Sequence, residues 1–434
     1  MTGLPKGIKA ILTKAPTDIV ILSSLRTPIC RSYRGQLKDA YPEELLSVVL
    51  RATLDRNPQL DPSTIDDVAV GVVLNELGGS KAARMALNHV PGFETTKTSL
   101  YTVNRACASS LQSIALVAAQ IRTGMIDVGI GAGMESMTRN YGSKAIPTDL
   151  WPALKESTVK EARDCIMPMG LTSENVAQRY GVSRADQDAF AVESHRRAAR
   201  AREQGWFDQE IVPVTTQFHD IDKQGNRLDP EGAGKTITVT QDDGIRPTAT
   251  LEALAKLKPA FLPAEAGGAS TAGNSSQVSD GAAATLLMRR STATQLGLDS
   301  AILGKFVAAA VAGCAPDEMG IGPVLAIPRV LSQLGLTLEE GREVVDRWEL
   351  NEAFASQALY CVRELGLEGA LAEGKVNPDG GAIALGHPLG ATGARMVSTL
   401  MHGLGRGDGG GGQVGVVSMC VGTGMGMAGV FVRE

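Results

Sequence analysis

Aromatic side chains make up only 4% of the 434 residues. That scarcity argues against a sugar- or base-stacking surface and for helices and strands packed closely on one another. Excess basic charge is also missing: the formal net charge is −5, with no support for the basic footprint a nucleic-acid partner requires. No uninterrupted apolar run reaches the ~18 residues of a membrane helix. The six cysteines, at 30, 107, 165, 314, 361 and 420, contain no C-x-x-C pair. Neither a zinc framework nor a small disulfide scaffold fits them, so reduced thiols in an intracellular compartment are expected. The first sixteen residues carry Lys6, Lys9 and Lys14 but lack the apolar core of a secretory signal and the arginines of a mitochondrial presequence. The last four, Phe431 to Glu434, are not a Ser-Lys-Leu address.

What is abundant is glycine, at 50 residues, within an ordinary soluble composition of 43% hydrophobic and 21% charged residues. Strand and helix patterns alternate. Asp18–Ser23, Asp66–Val73, Ser99–Val103 and Ile126–Gly133 read as strands, whereas Pro42–Leu54 and Ser80–Asn88 read as helices. Asn104-Arg105-Ala106-Cys107-Ala108-Ser109-Ser110 leads into an apolar helix over Leu111–Ile121, stopped by Arg122-Thr123-Gly124. Such alternation indicates an α/β layered core.

Between Thr138 and Ala266 proline and charge rise, and the stretch reads as an insertion that caps the core. Ser194–Arg202 is a basic helical run, either a solvated face or a surface toward a phosphate-bearing ligand. Asp222–Pro230 looks like an exposed loop. Strands resume at Asp280–Met288, Val344–Leu350 and Val414–Cys420, with a helix over Ala394–Leu404 and a glycine-rich 409–412. A motif, an apolar helix, a basic-glycine stop and a glycine-containing strand follow one another in both halves. This repeat would place the helix after Cys107 and the helix after Gly393 in related positions.

Four residues carry candidate chemistry. Cys107 precedes a core helix, where free N–H groups and the positive dipole end favour a thiolate nucleophile; the alternative is an inert buried cysteine. His387, in a glycine-lined turn with Pro388, can accept a thiol proton near neutral pH, or is simply a turn histidine. Cys420 closes a strand before Val421-Gly422-Thr423-Gly424, where an α/β fold presents groups to a ligand, or it is packing. Asn351, at a strand end, can position a water or donate to an oxyanion, or is a turn residue.

Taken together, the chain resembles the thiolase family. The matching motifs are Asn104-Arg105 before Cys107, Gly133 to Met137, Asn351-Glu352-Ala353-Phe354-Ala355, Gly386-His387-Pro388-Leu389-Gly390 and Cys420 to Gly424. Pro168-Met169-Gly170 and Thr271 to Asp280 resemble most the peroxisomal type of 3-ketoacyl-CoA thiolase. The resemblance implies an α/β thiolase fold of two similar layered halves (five layers, αβαβα) with a capping loop domain. Its expected boundaries are 1–135 plus 278–299 for the N-terminal domain, 136–277 for the loop domain and 300–434 for the C-terminal domain.

It further implies thiolytic cleavage of 3-ketoacyl-CoA by coenzyme A, with Cys107 as the acylated nucleophile and His387 as its base. Cys420 becomes the acid/base at the enolate, and His387 with a water held by Asn351 becomes one oxyanion hole. The backbone N–H groups of Cys107 and Gly422 form the other. Ser276 matches a position at the pantetheine arm, and Met169 one lining the acyl pocket. Coenzyme A enters as co-substrate, with no metal or permanently bound cofactor, and a homodimer is expected. The alternatives are an acetoacetyl-CoA thiolase condensing two acetyl-CoA and a non-catalytic acyl-CoA-binding paralogue. Ser110 stands where the family usually has glycine and is expected to crowd the helix or the dimer contact. Ala391 stands where peroxisomal members often carry cysteine. The resemblance points to the peroxisome, although no Arg-Leu, five-residue, His-Leu address is present; cytoplasm and mitochondrion are the alternatives.

Overall fold

Ile19, Val20, Ile21 and Leu22 open the first strand and alternate between two apolar clusters, Ile19 and Ile21 in one, Val20 and Leu22 in the other. A strand that feeds two clusters belongs to a sheet covered on both faces. In the computed structural model, which describes residues 3–141, 145–229, 232–406 and 412–434, this holds on both sides of the molecule.

The strands are β1 (Ile19–Arg26), β2 (Cys30–Arg31), β3 (Asp67–Gly71), β4 (Ser99–Val103), β5 (Val128–Ser136), β6 (Val214–Phe218), β7 (Lys235–Val239), β8 (Ser279–Arg289), β9 (Gly304–Gly313), β10 (Arg347–Leu350), β11 (Val414–Val421) and β12 (Met425–Arg433). The longer helices are α1 (Pro42–Arg56), α2 (Ser80–His89), α3 (Ser109–Thr123), α4 (Met169–Arg179), α5 (Arg184–Glu203), α6 (Gly322–Gln333), α7 (Ala355–Glu364) and α8 (Leu389–Leu404). Among the described residues no single helix is long and apolar enough to cross a membrane.

Strand order runs β10-β11-β12-β9-β1-β8-β5-β3-β4, with β2 beside β8. The path divides into two matching halves. In the first, β4-β3-β5-β8-β1 combines parallel β4, β3 and β5 with antiparallel β8 and β1. In the second, a parallel bridge from Val376 to Trp348 takes the place of β4, and β10, β11, β12 and β9 follow with the same directions. The halves join where Ile19–Ile21 of β1 pair with Gly304–Phe306 of β9.

Three apolar clusters define the layers. One holds Leu45, Leu46, Val49 and Leu50 of α1 against β1, β3, β5 and β8. The middle one holds Leu111, Ile114 and Val117 of α3 together with Val397 and Leu400 of α8, between the two halves. The last holds Ile327, Val330 and Leu331 of α6 against β9, β10, β11 and β12. Helix, sheet, helix pair, sheet, helix is the five-layer αβαβα order. Helices α3 and α8 occupy equivalent places in the two halves, as the repeat in the sequence anticipates.

The strands between β5 and β8 lie outside the large sheet, and charge fastens this segment to the core. Arg26 of β1, fully buried, donates to Glu210 at 2.6 Å and to both oxygens of Asp242 at 2.7 and 3.0 Å. Within the basic run on α5, buried Arg197 donates to the carbonyls of Val376 and Leu371, exposed Arg200 to that of Pro378, and exposed Arg196 pairs with Glu193. Arg197 and Arg200 thus tie the run to the second half, while Arg196 stays on a solvated face. The hairpin β6–β7 lies within the same segment. Of the glycine-rich stretch, 409–411 lies outside the described residues, as does Pro230 of the exposed loop.

Candidate active site

The turn between β4 and α3 is held by side chains that substitute for backbone partners. Asn104 accepts the Ala106 N–H through Oδ1 at 2.9 Å and donates through Nδ2 to the Val73 carbonyl at 3.3 Å. Ser109 Oγ accepts the Arg105 N–H and donates to the Ala106 carbonyl, at 2.9 and 2.6 Å. These bonds hold Ala106 at φ 41°, a left-handed conformation a residue with a Cβ adopts only under constraint. The next residue is Cys107, 7% exposed. The turn packs against Gly422, which follows β11: Ala106 Cβ lies next to the Gly422 position, and the backbone N–H groups of Cys107 and Gly422 favour the charged form of the sulfur.

Burial nevertheless pushes the Cys107 thiol up to about 11; the two N–H groups oppose that shift and the nearby Glu135 carboxylate adds to it. The expectation of a helix-end thiolate is therefore corrected. In a dry pocket, desolvation of a charged sulfur outweighs two N–H dipoles, and the resting group is the neutral thiol.

His387 lies between the short helix Ala382–Leu385 and α8. Its N–H reaches the Gln277 carbonyl at 3.1 Å and Ser279 Oγ at 3.2 Å. The ring is fixed by Thr392 Oγ1, 2.6 Å from Nδ1, with Asn351 Nδ2 3.5 Å from Nε2. With the amide as donor, Nε2 keeps its lone pair and Nδ1 carries the proton toward Thr392. Burial, and then the Arg395 guanidinium, lower the imidazole to about 3, so it is neutral at any physiological pH.

Asn351 is anchored by its N–H to the Ser418 carbonyl at 2.9 Å, and its buried Oδ1 has no hydrogen-bond partner among the described residues. Cys420 is fully buried in a small cluster with Met319, Ala353 and Phe354, and Met169 packs against that cluster. Burial raises its thiol well above the ordinary value, and the first neighbouring group to add to this is Cys107. Met169 Sδ also lies beside Gly422. Ser276, half-buried, donates its N–H to the Ala353 carbonyl at 3.0 Å, which sets it alongside the Asn351–Phe354 segment. The structure thus groups Cys107 with Cys420 and Gly422, pairs His387 with Asn351, and places Met169 and Ser276 next to those groups.

Ser110 does not crowd its surroundings. Its Oγ accepts the Ala394 N–H at 2.9 Å, a buried bond that ties α3 to α8. Glycines make that proximity possible: a Cβ at Gly133 would run into the Gly390 carbonyl and Ser110, and one at Gly71 into the backbone of Ser109 and Ser110. Ala391 is buried without strain.

Three side chains at the site carry no role in the sequence reading: Thr392, which fixes the imidazole; Phe261, whose ring covers Gly170 beside Met169 and meets Phe354 edge-on at 6.1 Å; and Glu135. Only Glu135 had a signal, as the acidic residue inside the Gly133–Met137 motif. A cavity of about 540 Å³ opens elsewhere, at the C-terminal end of α3. Its cations are largely engaged: Arg289 with the Ile121 carbonyl, Arg122 with that of Val307, and Lys305 with Asp18.

Comparison with known proteins agrees over the whole chain. The thiolase N-terminal domain family matches residues 19–291 and the thiolase C-terminal domain family residues 300–433. The peroxisomal 3-ketoacyl-CoA thiolase B of Rattus norvegicus is 52% identical over 417 residues, 96% of this chain and 91% of its own. The peroxisomal 3-ketoacyl-CoA thiolase of Homo sapiens is 52% identical over 433 residues, 99% and 93%. Among solved structures, the dimeric peroxisomal thiolase of Saccharomyces cerevisiae superposes with a TM-score of 0.85 at 40% identity, over 98% of this chain and 100% of that one. The acetyl-CoA acetyltransferase of Bacillus anthracis gives 0.80 at 34% identity, over 97% and 100%.

Proposed function

The chain belongs to the thiolase family, and from its site we propose that it cleaves 3-ketoacyl-CoA with coenzyme A, yielding acetyl-CoA and an acyl-CoA two carbons shorter. The observation that carries the reading is the meeting of the motif turns: the Cys107 turn packs on Gly422 through Ala106, and Asn351 Nδ2 lies 3.5 Å from His387 Nε2. With the thiol and the imidazole both neutral, one proton transfer from Cys107 to His387 would make the nucleophile.

His387 Nε2 takes the thiol proton as sulfur attacks the 3-keto carbon, and the oxyanion formed there is held by the two backbone N–H groups. The bond between C2 and C3 breaks. Cys420 gives its proton to C2 of the departing enolate, while His387 and a water held by Asn351 stabilise the enolate oxygen. The acyl group remains on Cys107. Coenzyme A then loses its thiol proton to Cys420, attacks the acyl-Cys107 thioester and leaves as shortened acyl-CoA, and His387 returns the proton to Cys107. Ser276 would contact the pantetheine arm and Met169 the acyl chain. The reaction as written needs no metal ion and no resident cofactor.

Relatives of about 52% identity over nearly the full chain carry the name 3-ketoacyl-CoA thiolase, so neither the condensing nor the non-catalytic reading is favoured. Their names also place them in the peroxisome, and we assign this chain to that compartment. We propose a homodimer, because the yeast neighbour is dimeric and β4, paired with β3 alone, is an edge strand. The cap residues 136–277, with 1–135 plus 278–299 and 300–434 on either side, are proposed as three structural domains.

Mass spectrometry of the Cys107 peptide after single turnover tests the proposal. An acyl adduct discharged by coenzyme A is expected from a long-chain 3-ketoacyl-CoA. Binding without an adduct would refute it.

A further inference from the structure

Glu135, next to last in β5, is fully buried, and no cation pairs with it among the described residues. A buried carboxylate without a counter-ion is costly unless hydrogen bonds replace water. Three backbone N–H groups do so here. Val73 and Gly390 donate to Oε2, each at 3.1 Å, and Leu74 donates to Oε1 at 3.4 Å.

Those donors lie on two different arms of the site. Residues 73–74 lead to the nucleophile: the Val73 carbonyl accepts Asn104 Nδ2, and Asn104 Oδ1 holds the Ala106 N–H, immediately before Cys107. Gly390 leads to the base: it lies in the first turn of α8 with Thr392, whose hydroxyl fixes the His387 ring. The Gly133 position lets the Gly390 carbonyl approach β5 closely enough for both arms to reach one carboxylate.

We propose that Glu135 is a positioning residue for the thiolase reaction: its carboxylate sets the spacing of the Cys107 turn and the His387 turn by accepting from Val73, Leu74 and Gly390 at once. The inference deepens the thiolysis reading and rests on it. A carboxylate suits the task because both oxygens only accept. Glutamine keeps the length and one acceptor, but points a donor at a donor. Aspartate keeps the charge and loses the reach.

The test compares wild-type enzyme with E135A, E135D, E135Q and N104A. It measures steady-state thiolysis of acetoacetyl-CoA and a longer 3-ketoacyl-CoA, the rate of Cys107 acylation, and the thermal midpoint. Displacing reacting groups by about an ångström costs on the order of 100-fold. E135A and E135D should lose about that much kcat, with KM changed by no more than about threefold. E135Q should recover part of the loss, and N104A, which severs only the nucleophile arm, should slow acylation less than E135A does. Wild-type kcat in E135A would overturn the proposal. So would equal losses in all three Glu135 variants with KM rising in step, which is the behaviour of a packing residue. If E135A does not fold, the contrast between E135Q and E135D decides. An absence of acyl-Cys107 in the wild type would instead sink the thiolysis reading itself.

Discussion

Cys107 and His387 both rest uncharged, the thiol pushed up to about 11 and the imidazole down to about 3, chiefly by burial. Because burial lowers the imidazole, its uncharged form predominates from about pH 4 upward, and His387 contributes no inflection near 6.5. Glu135 is different: burial raises it to about 7, three N–H groups hold it down, and Asp280 adds to the rise. Below that pH it takes up a proton and stops accepting at one oxygen. The log of kcat/KM should therefore fall on the acid side of about pH 7 in the wild type and stay flat in E135Q, measured between pH 5.5 and 9. Replacing Cys107 with serine should lower kcat by at least about 10³-fold and leave acyl-CoA binding intact, which titration calorimetry would show. At this scale the side chains for the candidate site were legible, because Cys107, Asn351, His387 and Cys420 each stand in a short motif with its own turn chemistry. Their environment was not. Glu135 meets Val73 and Gly390 only after distant parts of the chain have folded together, and the thiolate expected at the helix start ignored the burial that opposes it.

Between elements, closeness is the quantity that matters. Helices α3 and α8 begin within a hydrogen bond of each other, Ser110 Oγ to Ala394 N–H, over the bare backbones of Gly71 and Gly133. Alanine at Gly133 should cost about 1–3 kcal/mol by overpacking, seen as a lower urea midpoint at unchanged slope, and should slow turnover. Alanine at Ser110 should cost roughly 1–2 kcal/mol by stranding the Ala394 N–H. Sequence patterning located β1, β4, α1, α2 and α3 to within a few residues, since their apolar periods are strong. It did not identify β9, Gly-Lys-Phe-Val-Ala-Ala-Ala-Val-Ala-Gly, or β12, whose small residues carry little strand preference. Both become strands because the neighbouring strands offer them paired backbones on each side. The hairpin β6–β7 escaped for the opposite reason: its threonines alternate with solvent, inside a polar stretch that reads as cap.

At the scale of the whole molecule, β4 ends the large sheet, and its residues Leu100 to Val103 are only half-buried. Sedimentation velocity should give twice the mass of one chain, and a lysine pair introduced at Leu100 and Thr102 should shift the boundary toward the monomer. Order of synthesis bears on the same sheet. Strand β8 lies between β5 and β1, yet about 140 residues of cap separate the end of β5 from its start. At ribosomal speeds of about 5–20 residues per second, the gap between β1 and β5 stays open for on the order of ten seconds. During that interval the nascent chain presents two unpaired strand borders to its surroundings. Those borders are surfaces on which strands of other chains can pair, exposed while the protein is still being made and long before any substrate reaches it.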